Sequence, residues 1–323
     1  MTNKEIYQKT VGFSVRRLLW DIFAFAILAA LAGAGFLLAE KLTDKGLVGL
    51  AVGALAGIIA AAVFLRYVSY TYKAGQIAMM TRAVTEGTLP EDVIGEGKRA
   101  VKERFATVAA FFAVTRIIRG IFSQLGNGLS SIGEKLGGNN GKTIGSVVSA
   151  AVQVVVEYLC DCCLGWVFYR KGVNAAKATC EGAALFFGHG KTLAKNMSRV
   201  FGMGLASLAV IGGAFTGIFY LAASGFPELF TRLSAEVAEA AARLETTAPA
   251  AMTDPNALKW ICAGAAGIVL WGIVHTAFIR PFVLVGVLRN YIESGIRDIP
   301  SETSFAVLDS KSDKFRKLHQ ELA

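Results

Sequence analysis

Long runs of apolar residues constrain this chain most. Four stretches of about twenty residues hold at most one charged residue each, at 18–39, 46–65, 203–223 and 260–279. A helix needs about 20 apolar residues to cross a bilayer, since each residue adds ~1.5 Å to a ~30 Å hydrocarbon core. Composition agrees, because 54% of the residues are hydrophobic and 18% are charged. The runs therefore predict membrane-spanning helices and exclude a water-soluble globule.

Two further apolar stretches carry charges. Residues 105–125 include Arg116 and Arg119, and residues 143–168 include Glu157 and Asp161. We count both as spans, because six spans give a self-consistent topology. The predicted fold class is therefore all-α, a polytopic transmembrane helical bundle with six spans.

Basic residues orient these spans. With the N-terminus inside, the cytoplasmic segments carry 24 of the 33 Lys and Arg residues, and the external loops carry 7. Cytoplasmic loops of membrane proteins carry the excess of Lys and Arg, so both termini are predicted to be cytoplasmic (N-in/C-in), in the plasma (inner) membrane. The net charge of +9 then indicates contact with anionic lipid instead of nucleic acid. The cytoplasmic segments are 1–17, 66–104, 169–202 and 280–323.

This topology divides the chain into four parts. An N-terminal transmembrane hairpin covers 1–68, and a cytoplasmic linker covers 69–104. A four-span core covers 105–290 and includes an external amphipathic helix at 228–246, where apolar residues recur at helical spacing. A charged cytoplasmic tail covers 291–323.

Three connecting segments carry local signals. Glu91 and Asp92 follow Pro90, and acidic residues suit the first turn of a helix. Segment 126–142 is rich in Gly and Asn and predicts an external turn. Segment 172–196 is either a loop or a re-entrant helix pair, which is allowed where protein covers the backbone.

Pairs of small residues four apart recur inside the spans. Such pairs let helix backbones approach closely in lipid, where no hydrophobic force drives helices together. They indicate packing within one chain, the interface of a homo-oligomer, or a seam along which helices move. The pairs are Gly53 and Gly57, Gly213 and Gly217, Ala29 and Gly33, and Ala263 and Gly267.

Two carboxylates inside a predicted span are the strongest functional signal. Glu157 and Asp161 are four residues apart and share one helix face. A charge inside the bilayer costs several kcal/mol unless it is paired or hydrated. One interpretation is a structural ion pair with Arg116, which lies within about 5–8 Å of Glu157 in depth. The other is an anionic face on a cation pathway, with Trp166 and Tyr169 as an aromatic wall, because aromatic rings attract quaternary ammonium groups.

His275 lies near the depth of Glu157 in the last span and is a candidate facing group on that pathway. Cys160, Cys162 and Cys163 offer metal-ligand atoms, but they point in different directions on a helix. No nucleophile and base stand at a catalytic spacing. We therefore expect no enzyme, no metal site and no cofactor.

Several short motifs follow one another in a characteristic order in the last two thirds of the chain. An arginine-flanked Ile pair spans Arg116–Arg119, and a Cys-rich aromatic segment with a basic end spans Cys160–Arg170. Asn174–Ala175 follows, and a polar run covers Arg289–Glu293 after the last span. From about Leu89 to Ser301, this order resembles the choline transporter-like family. The resemblance implies a helical membrane transporter for choline or a similar solute.

Three functions are consistent with these patterns. The leading hypothesis is passage of a small cationic or amphiphilic solute through the core, with the lipid bilayer and that solute as the partners. The second is a non-transporting scaffold or oligomer-forming membrane protein. The third is lipid handling of the scramblase type along a polar groove between helices.

Overall fold

A computed structural model describes this chain over residues 1–43, 46–136, 141–188, 200, 202–243, 246–247 and 249–321. Side chains are described in these ranges except at 47, 69, 125–136, 141–152, 187–188 and 302. Every regular element in the described residues is helical, which confirms the predicted all-α class.

The connections between helices that lie in the described residues are short. Within the described ranges, three π-helical turns interrupt them, at Ser69–Lys73, Leu208–Gly212 and His275–Ile279. A single turn lies at Ala250–Thr253. The longer helices are α1 (Asn3–Thr43), α2 (Gly46–Val68), α3 (Ala74–Glu86), α4 (Val93–Arg104), α5 (Val108–Leu136), α6 (Gly141–Tyr169), α7 (Ala175–Gly188), α8 (Gly202–Ser224), α9 (Pro227–Arg243), α10 (Pro255–Val274), α11 (Arg280–Arg297), α12 (Glu302–Asp309) and α13 (Asp313–Gln320).

Four helical stretches in the described residues are long and apolar enough to cross a membrane. They are α1, Val48–Glu86, α8 and Pro255–Arg297. A fifth is added when α4 and the first part of α5, which are bent by 81°, count as one span. The chain is thus a candidate multi-pass membrane protein with four to five candidate spans. The predicted span 143–168 lies in α6, whose side chains are described only from residue 153.

The bend lies at 105–107, where the predicted linker 69–104 meets the predicted span 105–125. Phe105 leaves the helical conformation, with φ −125° and ψ 97°. The hydroxyl of Thr107 accepts a hydrogen bond of 3.1 Å from the backbone N–H of Ala110 and so caps the start of α5. Hydropathy summed over a stretch of residues does not show where a capping side chain starts a helix. Helix α5 also continues to Leu136 through part of the predicted turn 126–142, of which 137–140 lie outside the described residues.

Glycines hold α1 and α2 together as a hairpin. A Cβ added at Gly53 would overlap the carbonyl oxygen of Leu31. A Cβ added at Gly57 would lie 2.9 Å from the Cα of Leu28, closer than real Cβ contacts. The backbones touch because these side chains are absent. The pair Gly53 and Gly57 therefore marks packing inside one chain instead of a homo-oligomer interface.

Contacts divide the chain into two units, Met1–Arg199 with Arg280–Ala323, and Val200–Ile279. In the first unit, α3 packs against α4 and α6, and α11 packs against α6. Nine of the 13 residues of α3 are buried, so the predicted linker contains a packed helix. In the second unit, α8 and α9 pack against α10. Helix α9 lies in the segment 228–246, of which 244 and 245 are outside the described residues.

The C-terminal segment also packs in the first unit. Ser312 donates a hydrogen bond of 2.7 Å to the side-chain oxygen of Gln124 on α5. Phe315 of α13 is fully buried in a cluster with Ile118 and Ile121 of α5. The cytoplasmic tail predicted at 291–323 thus includes the end of α11 and the helices α12 and α13, and α13 docks on α5.

Candidate functional site

The carboxylate of Asp161 is buried in the first unit. It projects from α6, and its side chain is only 5% exposed. One oxygen, Oδ1, lies 2.6 Å from Nζ of Lys73, and the other, Oδ2, accepts a hydrogen bond of 2.7 Å from Nη2 of Arg280. Both oxygens are therefore bound by cations of the protein itself.

Arg280 bridges the two predicted carboxylates. Its Nη1 pairs with Oε2 of Glu157 at 2.5 Å, and its Nη2 also lies 3.2 Å from the backbone carbonyl oxygen of Glu157. The guanidinium lies over the ring of Tyr158, 5.5 Å from the ring centre. The helical spacing of four that places Glu157 and Asp161 on one face thus lets a single guanidinium bind both.

Both cations occupy the same kind of position in the chain. Lys73 is the last residue of the π-helical turn Ser69–Lys73, and Arg280 directly follows the turn His275–Ile279. An extra residue in a helical turn rotates the following side chains by about 100° around the helix axis.

Arg17 and Asp21 of α1 complete what we call the charged cluster. Arg17 interacts electrostatically with Asp21, Arg280 and Asp161. The charged cluster then holds three basic and three acidic side chains, so it is neutral when all six are ionised. Its members are Arg17, Lys73 and Arg280, with Asp21, Glu157 and Asp161.

The predicted ion pair between Arg116 and Glu157 is corrected by this geometry. Glu157 pairs with Arg280, whereas Arg116 is exposed on α5, and no ion pair within the described residues joins it to Glu157. The sequence argument matched the two residues by depth. Depth does not fix the direction in which a side chain leaves its helix, and the nearer cation lies on another helix.

Trp166 is bonded to a different carboxylate, which sequence reasoning missed. Trp166 is fully buried, and its Nε1 donates a hydrogen bond of 3.0 Å to Oε2 of Glu181 on α7. Arg170 binds both oxygens of Glu181, at 2.8 and 3.0 Å, and this bonding raises the pKa of Arg170. The ring of Tyr169 lies 5.1 Å from that of Trp166. Of the predicted aromatic wall, Trp166 is therefore bonded to Glu181, and Tyr169 contacts Trp166.

His275 belongs to the second unit. Its Nδ1 lies 3.3 Å from the hydroxyl of Ser207, which accepts a hydrogen bond of 3.0 Å from Nε1 of Trp271. Glu157 and Asp161 belong to the first unit. Within the second unit, His275 is thus part of a hydrogen-bonded group with Ser207 and Trp271.

The helices and the charged cluster place this chain in the class of all-helical proteins with buried ion pairs, as a candidate multi-pass membrane protein. No protein-family model, curated protein or solved structure matches this chain.

Proposed function

We propose that this chain spans the plasma (inner) membrane six times, with both termini in the cytoplasm, and passes a small cationic or amphiphilic solute. In this proposal the charged cluster is the gate on the pathway. One observation carries it: the carboxylate of Asp161 is 5% exposed and holds two cations, Lys73 and Arg280, that both adjoin π-helical turns.

A purely structural role explains such an arrangement poorly. Replacing a buried ion pair with apolar residues of similar volume is often neutral or stabilising, so ion pairs are an expensive way to hold helices together. Ionisable residues within membrane helices commonly line substrate or ion pathways. Turns of the π type are also frequent at functional sites. These three generalisations support a role for Asp161 beyond packing.

The charge balance suggests how a cationic solute would be handled. With three acids and three bases, the cluster has no net negative charge to attract a cation. An entering cation would have to replace a protein cation at Asp161. Lys73 is suited to leave, since its side chain is 26% exposed while that of Arg280 is 13% exposed. The ammonium of Lys73 then takes up water as the solute binds.

Uptake by proteoliposomes tests this proposal. The probe is radiolabelled choline, a quaternary ammonium ion of the class implied by the family resemblance. We expect uptake by the wild-type chain above empty vesicles and none by Asp161→Asn. The matched control is Glu239→Gln, which removes a carboxylate paired with Arg243 at an exposed site, and we expect it to leave uptake unchanged.

Two results would overturn the proposal. Wild-type uptake equal to that of empty vesicles would reject a choline-like solute. Normal uptake by a folded Asp161→Asn variant would reject the gate. Flipping of a fluorescent lipid in the same vesicles without choline uptake would favour lipid handling.

A non-transporting scaffold is the second candidate. Its supporting observation is that Asp161 has both oxygens bound within the protein and that Trp166 is fully buried against Glu181. A folded wild-type chain that moves neither choline nor lipid would favour this function.

A further inference from the structure

Two basic and two aromatic side chains meet in the first unit, where α1, α4 and the π-helical turn Ser69–Lys73 come together. Lys98 of α4 places its ammonium over the ring of Tyr72, 4.9 Å from the ring centre. The hydroxyl of Tyr72 interacts with the side chains of Lys98 and Trp20, and Arg16 of α1 acts on it electrostatically. We call these four residues the basic patch.

The packing of Phe13 brings the basic patch together. This side chain is 1% exposed and lies between Gly75 of α3 and Gly97 of α4. A Cβ added at Gly75 would lie 2.9 Å from Cε1 of Phe13, and a Cβ added at Gly97 would lie 2.5 Å from its Cζ. Close contact of the three helices therefore depends on the two glycines. Three residues of the basic patch stand within one helical turn of this contact along the chain: Arg16, Tyr72 and Lys98.

The positive charge of the basic patch is not balanced by carboxylates. In the part of the chain that the structure describes, no ion pair joins either of its two cations to an acid. The residues three and four positions away from each cation along its own helix include no acid. The acids nearest to them in sequence are engaged elsewhere. Asp21 interacts with Arg17, and Glu96 pairs with Arg99.

Aromatic rings connect the basic patch to the membrane-spanning part of the hairpin. Trp20 lies near the start of the apolar run 18–39, and Phe64 lies near the end of the run 46–65. The ring of Trp20 lies 5.4 Å from that of Phe64 and 5.9 Å from that of Phe23, which is 49% exposed. Trp and Tyr are enriched at membrane–water interfaces, where an apolar ring and a polar N–H or O–H group both find suitable surroundings. With α1 and α2 in the bilayer, the basic patch therefore lies at the level of the lipid headgroups.

We propose that the basic patch binds the phosphate of one anionic phospholipid, between the guanidinium of Arg16 and the ammonium of Lys98. Indole N–H and ammonium groups only donate hydrogen bonds, so the hydroxyl hydrogen of Tyr72 is left to donate to a phosphate oxygen. The acyl chains contact Phe23 and Phe64. A zwitterionic lipid would bring a cation that finds no carboxylate here. The site rests on the proposed position of α1 and α2 in the membrane, and it does not depend on passage of a solute.

Native mass spectrometry of the purified full chain in detergent tests the site, because it counts the lipids that stay bound. The probes are dioleoylphosphatidylglycerol, dioleoylphosphatidylcholine and inorganic phosphate. We expect phosphatidylglycerol to bind about tenfold or more tightly than phosphatidylcholine, since two basic side chains attract it. Inorganic phosphate should bind more weakly, because it lacks the acyl chains. Arg16→Gln and Lys98→Gln should each weaken the binding of phosphatidylglycerol about fivefold, which is the contribution of one basic side chain at an anionic membrane surface.

The matched control is Arg99→Gln, which removes the same charge from α4 at a side chain that is 63% exposed and paired with Glu96. We expect it to leave the binding of phosphatidylglycerol unchanged. If a charge variant fails to fold, Tyr72→Phe decides, because it keeps the ring and both cations. Weaker binding of phosphatidylglycerol by Tyr72→Phe supports the site, and unchanged binding overturns it.

Four other results would also overturn this proposal. The first is equal binding of the two lipids by the wild-type chain, and the second is inorganic phosphate bound as tightly as phosphatidylglycerol. The third is wild-type binding by folded Arg16→Gln and Lys98→Gln. The fourth is equal weakening by Arg99→Gln and Lys98→Gln, because net charge alone would then attract the lipid. A chain that binds phosphatidylglycerol as expected and takes up no choline would keep this site and lose the proposed function.

Discussion

Replacing Asp161 with Asn removes the negative charge at the centre of the charged cluster. Asn keeps the shape of the side chain and one acceptor oxygen, but Lys73 and Arg280 both lose a counter-charge at 2.6 and 2.7 Å. Breaking a buried ion pair costs about 3–5 kcal/mol. Lys73 is partly exposed and regains water, and Arg280 keeps Glu157. We therefore expect a loss of about 3 kcal/mol in the free energy of unfolding, the lower end of that range.

Glu157→Gln is the matched comparison. It removes the other carboxylate on the same helix face, which is bound by the same guanidinium, that of Arg280. Its side chain is 41% exposed, so solvent screens the interaction and we expect a loss below about 1 kcal/mol. Both variants are measured by titration with SDS in mixed micelles, with tryptophan fluorescence reporting unfolding. Equal losses, or a larger loss for Glu157→Gln, would refute the assignment of Asp161 as the main anchor of the cluster.

Three further predictions concern packing and topology. Gly53→Leu should destabilise the protein by about 1–3 kcal/mol in thermal unfolding, because the backbones of α1 and α2 must separate. Gly33→Leu should have little effect, since a Cβ added there meets no atom within 4 Å. Equal effects of the two substitutions would contradict the described packing of the hairpin. A reporter that fluoresces only in the cytoplasm should give signal when fused after Ala323, whereas five spans with an internal N-terminus would place that end outside and abolish the signal. Glu181→Gln should cost about 3 kcal/mol in the same unfolding assay because Arg170 loses its counter-charge, whereas Glu86→Gln, whose side chain is 46% exposed, should change stability by less than about 0.5 kcal/mol.

Hydropathy alone predicts much of the helical framework. The four apolar runs, which hold at most one charged residue each, lie in the four helical stretches that are long enough to cross a membrane. The start of α4 was also predictable, since Asp92 caps it by accepting a hydrogen bond of 2.8 Å from the backbone N–H of Gly95. Both signals are local, because a run of apolar residues and a cap residue act on their own segment.

The partners of the carboxylates could not be predicted in the same way. Counting residues gives the depth of Glu157, but the nearest cation depends on which helix faces it. Arg280 falls in the predicted cytoplasmic segment 280–323 because the last apolar run ends at 279, yet the helix continues to Arg297. Lys73 was likewise placed in the linker, although a π-helical turn carries the helix from α2 into α3. No pattern of apolar residues marks such a turn in advance.

The central claim is that the charge of Asp161 serves passage of a solute and not only stability. The double variant Lys73→Met with Asp161→Leu tests it most directly, because it removes one cation and one carboxylate and leaves the remaining charges balanced. Its unfolding free energy and its choline uptake are measured on the same preparation. We predict stability within about 1 kcal/mol of wild type and no uptake. Uptake at the wild-type rate by this stable variant would contradict the account.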